Sequence, residues 1–136
     1  MLPALLLLVA ACGKDEVDPA SLNSNPMDPA YTGPSLVVLD SAYVDSVSNN
    51  GILEPVLFMD LHVDEARFPL QTSYTIYLHD LFSGVQDTLG PVQGTGVFAF
   101  THSFRPVMPG TNYCIDVNLG ISGSRTATWT ICHQHP

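Results

Sequence analysis

Positive charge is the scarcest property of this chain. Four Lys and Arg residues stand against thirteen Asp and Glu, a formal net charge of −9 over 136 residues. No basic patch exists to neutralise phosphates, which argues against nucleic acid as a partner. Attraction to an anionic membrane surface is disfavoured for the same reason, and the charge favours solubility instead. Long hydrophobic runs are missing too. The leading stretch Leu2–Val9 is far shorter than the about 20 apolar residues that cross a bilayer. After Cys12 no segment repeats its apolar residues at helical intervals. Nucleophile signatures are absent. There is no G-x-S-x-G elbow, and Ser122-Gly123-Ser124 falls in a hairpin loop with no helix behind it. Gly94-Thr95-Gly96 runs into a strand, not into the helix that a phosphate cradle needs. Glu54, Glu65 and Asp80 fall near loops, and nothing pairs them as acid and base. The expectation is a protein that is not an enzyme and uses no cofactor.

What is present begins with the first twelve residues. An apolar run of signal-peptide length ends in Val9-Ala10-Ala11-Cys12, although no Lys or Arg precedes it. Small residues ahead of a cysteine resemble the lipobox of bacterial lipoproteins. The resemblance implies a signal peptide over residues 1–11, cut before Cys12, and a lipid anchor on Cys12. Lys14-Asp15-Glu16 follows Gly13. A Lys and two acids this close to the cysteine resemble the surface-export signal of one group of Gram-negative bacteria. That implies the outer face of the outer membrane. A solvated charged tether, with the protein facing the periplasm, is the alternative. Residues 12–34 carry Pro19, Pro26, Pro29 and Pro34 among Asn, Ser and Asp, with few apolar side chains. This composition predicts a flexible tether spanning roughly 25 Å.

Residues 35–136 are enough for one domain with a modest core. Leu36–Leu39 opens a strand, and Asn49-Asn50-Gly51 is a turn signal. Leu57, Met59, Leu61 and Val63 alternate with Phe58, Asp60, His62 and Asp64, the period-2 pattern of a half-buried strand. Tyr74, Ile76 and Leu78 alternate in the same way with Thr75, Tyr77 and His79. Segments at 86–89, 97–104, 112–119 and 126–132 bring the number to seven, which suggests a single all-β sandwich.

One segment is more specific. Val107, Pro109, Thr111, Tyr113, Ile115 and Val117 occupy alternate positions. They resemble the tyrosine corner of fibronectin type III domains, an immunoglobulin-like family. The resemblance implies that Pro109, Thr111 and Tyr113 form an arch. In it the Tyr113 ring is buried and its hydroxyl bonds backbone ahead of the strand. The family's tryptophan in the second strand is lacking; Phe58 stands there.

Lipidation of Cys12 leaves Cys114 and Cys132, and an even remainder in an exported protein suggests one disulfide. Free thiols, or zinc with His133, are the alternatives. Register supports the disulfide. With Cys114 opposite Cys132, Ile115 meets Ile131, Val117 meets Trp129 and Leu119 meets Ala127 on one face. Asp116 meets Thr130 and Asn118 meets Thr128 on the other, and a one-residue slip would break every match. His62, between Asp60 and Asp64, shares a strand face with both, but parallel side chains converge poorly on an ion, so no metal is expected. His133-Gln134-His135 closes the chain and is expected to fray. Asp40-Ser41-Ala42, Asp45-Ser46-Val47 and Asp87-Thr88-Leu89 resemble an O-glycosylation site of the same bacterial group, implying modification at Ser41, Ser46 and Thr88; ordinary turn chemistry is the alternative.

The outer face of the sheet holding the third, sixth and seventh strands collects Thr75, Tyr77, His79, Asp116, Asn118, Thr128 and Thr130. A flat ring among hydrogen-bonding groups suits a sugar or an extended peptide. Two function classes follow. One is a surface-tethered binding module for a glycan, a peptide or an envelope protein. The other is a structural or accessory subunit of an outer-membrane assembly, which would show an apolar patch that a partner covers.

Overall fold

A computed structural model describes residues 24–68 and 73–136 of the chain. The turn Asn50-Gly51 organises the first sheet. Both residues take positive φ, 49° and 83°, the requirement of a two-residue type I′ hairpin whose twist matches its flanking strands. It joins β1 (Val37–Asn49) to β2 (Ile52–Asp64), with Asn49 opposite Ile52. β1 begins within the Leu36–Leu39 opening and runs to the turn, and a bulge between Leu39 and Ser41 lets it follow the sheet. A single 3-10 turn, Glu65–Arg67, follows, then β3 (Ser73–Asp80), β4 (Gln86–Gln93), β5 (Val97–Phe104), β6 (Asn112–Ile121), β7 (Ser124–Arg125) and β8 (Trp129–Gln134).

The strands form two antiparallel sheets. One has the order β1-β2-β5. In the other, β4, β3 and β6 are neighbours, and β7 and β8 both pair with β6. Among the described residues eight strands stand where seven were expected, because the last hairpin is interrupted. Val117 pairs with Trp129, but Gly120 pairs with Arg125, a slip of one residue. Thr126 fills the break. Its N–H donates to Leu119 O at 2.9 Å, and its hydroxyl accepts the Leu119 N–H at 2.9 Å and donates to Ala127 O. A side chain therefore takes the place of a ladder carbonyl. The expected pairs Asn118–Thr128 and Leu119–Ala127 do not form. Those from Cys114–Cys132 to Val117–Trp129 do.

The alternation in β2, β3 and β6 places Leu57, Met59, Leu61 and Val63 against Ile76, Leu78, Ile115, Val117 and Leu119, all at most 4% exposed. Phe104 and the single Trp129 close the core. Phe58, which stands where the fibronectin family carries its tryptophan, points outward instead and stacks on Tyr43 at 5.5 Å.

The packed unit begins before residue 35. Tyr31 is buried, and Met27 packs against the same core. Arg67 fastens this segment. One guanidinium nitrogen donates to Pro34 O (3.1 Å) and Ser35 O (3.0 Å), the other to the Tyr31 hydroxyl. The C-terminal histidines are paired as well. Asn112 lies opposite Gln134 and Tyr113 opposite His133. The His135 N–H bonds Thr111 O, and its carbonyl accepts from Gly110. The arch connection draws the chain end into the ladder, where fraying was expected.

Candidate functional site

Pairing across the second sheet sets out the candidate face in rows. Gln86, His79, Asp116 and Thr130 form one, since His79 is opposite both Gln86 and Asp116, and Asp116 is opposite Thr130. Thr88, Tyr77 and Asn118 form the next, and Thr75 with Gly120 and Arg125 the third. Thr130 donates to Asp116 Oδ1 at 2.5 Å. Thr128 leaves the ladder with the Thr126 interruption yet still borders the same depression.

Tyr77 is the centre of this face, but it does not present a bare ring. One side lies on Gly120, where a Cβ would come within 2.7 Å of Tyr77 Cε2. The Arg125 guanidinium sits over the ring, 3.8 Å from its centroid, a cation–π contact. This corrects the expectation of an open aromatic platform. Arg125 covers the ring, and the groups on offer are polar. Two depressions flank the stack. One, of about 270 Å³, is bordered by His79, Gln86, Asp116, Asn118 and Thr128 as well as Thr88. The other, of about 250 Å³, is bordered by Ser73, Thr75, Ser122 and Ser124. Tyr77 and Arg125 border both. Asn118 borders the first depression, and its Oδ1 is buried without a hydrogen-bond donor.

Arg125 is the residue missed by sequence reading. It reaches Tyr77 because Ser122-Gly123, with φ of 49° and 83°, makes a second type I′ turn that folds β7 back on β6. The signal was a glycine inside a strand pattern, Gly120, which marks a close approach.

Elsewhere, Cys114 and Cys132 are joined by a disulfide with S–S 2.04 Å. The Tyr113 hydroxyl accepts the Met108 N–H at 2.7 Å and donates to Pro106 O at 3.0 Å; its ring meets Phe82 and Phe104. Pro109 and Thr111 lie in the arch between, Thr111 donating its N–H to Met108 O. Cys12, Lys14, Asp15 and Glu16 lie outside the described residues.

On the other sheet, His62 pairs with Asp40 at 2.8 Å, not with Asp60 or Asp64. Asp60 accepts from Ser41 and Thr101. Ser46 and Thr88 are exposed, and each gives its N–H to the preceding aspartate at 2.7 Å. Among the described residues no three His, Cys, Asp or Glu side chains gather as metal ligands.

Among the described residues two carboxylates are buried. Glu65 accepts from the Tyr74 hydroxyl and from the Thr95 and Gly96 N–H groups. Burial, then the Glu65 hydrogen bond and charge, push the Tyr74 phenol well above its ordinary range. Burial opposes ionisation of Asp80, but donors from Ser83, Phe82 and His102 outweigh it and hold its carboxyl below the usual range. No family model, curated protein or solved structure matches this chain.

Proposed function

We propose that this chain is a lipoprotein anchored to the bacterial outer membrane through Cys12, and that its domain is a non-catalytic binding module exposed at the cell surface. Val9-Ala10-Ala11-Cys12 and Lys14-Asp15-Glu16 support the anchor and the outward orientation. The domain reads as fibronectin type III-like. The Tyr113 arch supports this, and so does the place of β4 beside β3. In immunoglobulin constant domains the fourth strand joins the sheet of the first two.

The observation that carries the binding reading is the outer face of the β4-β3-β6 sheet. A Tyr77–Arg125 stack lies between two polar depressions, one of them bordered by Asp116 and Asn118. Groups held by a rigid sheet lose little freedom on binding. Thr88 borders this face, so glycosylation there would fill the depression and compete with a ligand. Ser41 and Ser46 lie on β1, away from it.

The test is an array of glycans and peptides probed with the purified full chain. Ligands are expected to be retained by wild type and released by Tyr77→Ala and Asp116→Ala, both with unchanged melting. A chain that retains nothing, or variants that retain everything, would refute the outer-face reading.

A second reading, an accessory subunit of an outer-membrane assembly, is favoured by the β1–β2 arm. β5 reaches β2 only as far as Leu57, so the hairpin projects beyond the sheet with Ile52 65% and Leu53 70% exposed. Co-purification with envelope proteins that is lost in Leu53→Asp would favour it.

A further inference from the structure

We infer that the groove around Arg125 takes an acidic sugar, with the sugar carboxylate held by the guanidinium. This rests on the reading of the outer sheet face as a binding surface and names the class of ligand it receives. Three of the chain's four Lys and Arg residues lie among the described ones. Arg67 is used by Pro34, Ser35 and Tyr31, and Arg105 faces Glu54 at 3.9 Å. The Arg125 side chain has neither a carboxylate partner nor a hydrogen bond among the described residues. It is nonetheless held in place, over a Tyr77 ring that rests on Gly120. A guanidinium positioned in this way leaves its N–H donors free for a carboxylate, which it grips with two parallel bonds.

The surroundings of Arg125 divide by charge. On the Ser122–Ser124 side the depression is bordered by hydroxyl groups and by no Asp or Glu, in a chain that has thirteen of them. An anion meets no repulsion from the groove wall there. On the other side stand Asp87 and Asp116, with Asn118 and Thr128 beside them. The two carboxylates accept hydroxyl hydrogens and would repel a second negative charge. A ligand that satisfies both sides carries one carboxylate beside several hydroxyl groups, which is the chemistry of a uronic acid within a saccharide. A polyanion would be repelled by Asp87 and Asp116 at its far end. An acidic peptide would bring few hydroxyl donors and would find little apolar surface.

The experiment is calorimetric titration of the full chain with uronate oligosaccharides of the gluco and galacto series, each beside its neutral hexose counterpart. The acidic member of at least one pair is expected to bind about tenfold or more tightly than the neutral one. That margin should shrink at high salt. Arg125→Gln should abolish it by bringing the uronate down to the neutral sugar's affinity, whereas Arg125→Lys keeps part of it. Asn118→Ala should weaken both sugars alike. Equal binding of acid and neutral sugars, or a margin that survives Arg125→Gln, overturns the inference and leaves the binding surface standing. So does a face that takes an acidic peptide in place of every sugar. If no sugar or peptide binds in a manner sensitive to Tyr77→Ala, the surface reading falls as well.

Discussion

Removing the Glu65 carboxylate is the most informative perturbation of the fold. Glu65 is 2% exposed and Tyr74 1%. Tyr74 donates its hydroxyl to Glu65 Oε1, while Thr95 and Gly96 donate N–H groups to Oε2 at 2.7 and 2.5 Å. One carboxylate therefore ties the 3-10 turn to β3 and to the β4–β5 loop. In Glu65→Ala the Tyr74 hydroxyl is stranded in the core. Thr95 is exposed and Gly96 half-buried, so those two N–H groups recover water. One fully orphaned donor, two partly compensated ones and a small cavity come to about 3–4 kcal/mol, within the range for breaking a buried charged group's contacts. Glu65→Gln is milder. Its amide oxygen still accepts from the loop, and its NH₂ donates to the Tyr74 hydroxyl oxygen, whose own hydrogen then lacks an acceptor. Charge assistance and that one acceptor are lost, about 1–2 kcal/mol. Urea denaturation followed by circular dichroism measures both, with an unchanged slope required for a clean comparison. A double-mutant cycle with Tyr74→Phe should return a coupling of about 1 kcal/mol or more. The reasoning fails if Glu65→Ala lies within about 0.5 kcal/mol of wild type, or if Gln costs as much as Ala.

Three further outcomes are expected. Tyr113→Phe keeps the ring against Phe82 and Phe104 but strands the Met108 N–H and Pro106 O, both at exposed residues; the loss should be about 1–2 kcal/mol, and thermal melting that does not move would contradict the arch. Asp80, whose folded carboxyl is held below its ordinary value of about 3.9, contributes stability above that value and loses it as pH falls through the folded one. Asp80→Asn should accordingly be less stable than wild type at neutral pH, with the gap closing in acid, and a gap independent of pH would count against the assignment. Replacing Cys114 and Cys132 together by Ala should cost up to about 3 kcal/mol for a separation of 18 residues; stability indistinguishable from the oxidised wild type would refute a stabilising role.

The sequence by itself determined what depends on neighbours along the chain. Alternation in 57–63, 74–79 and 113–119 assigned the central strands and their buried faces, because side chains in a strand point to opposite sides in turn. The same alternation located the Cys114–Cys132 register, since a slip by one would have turned every apolar residue of that hairpin outward. Asn50-Gly51 marked the tight hairpin through its tolerance of positive φ. Other features were decided by the tertiary structure alone, because their partners are distant in the chain. Glu65 meets Thr95 and Gly96 only once β2 and β5 are neighbours. Arg67 fastens Tyr31, which brings a segment that reads as tether into the packed unit. Thr126 replaces a ladder carbonyl, a substitution that period and propensity do not encode. Arg125 covers Tyr77 through the combined effect of a turn, a one-residue slip and a glycine 43 positions beyond the tyrosine. Periodicity assigns each side chain to a face. Which polar groups meet on that face depends on strand order and register, and those are set by the packing of the whole domain.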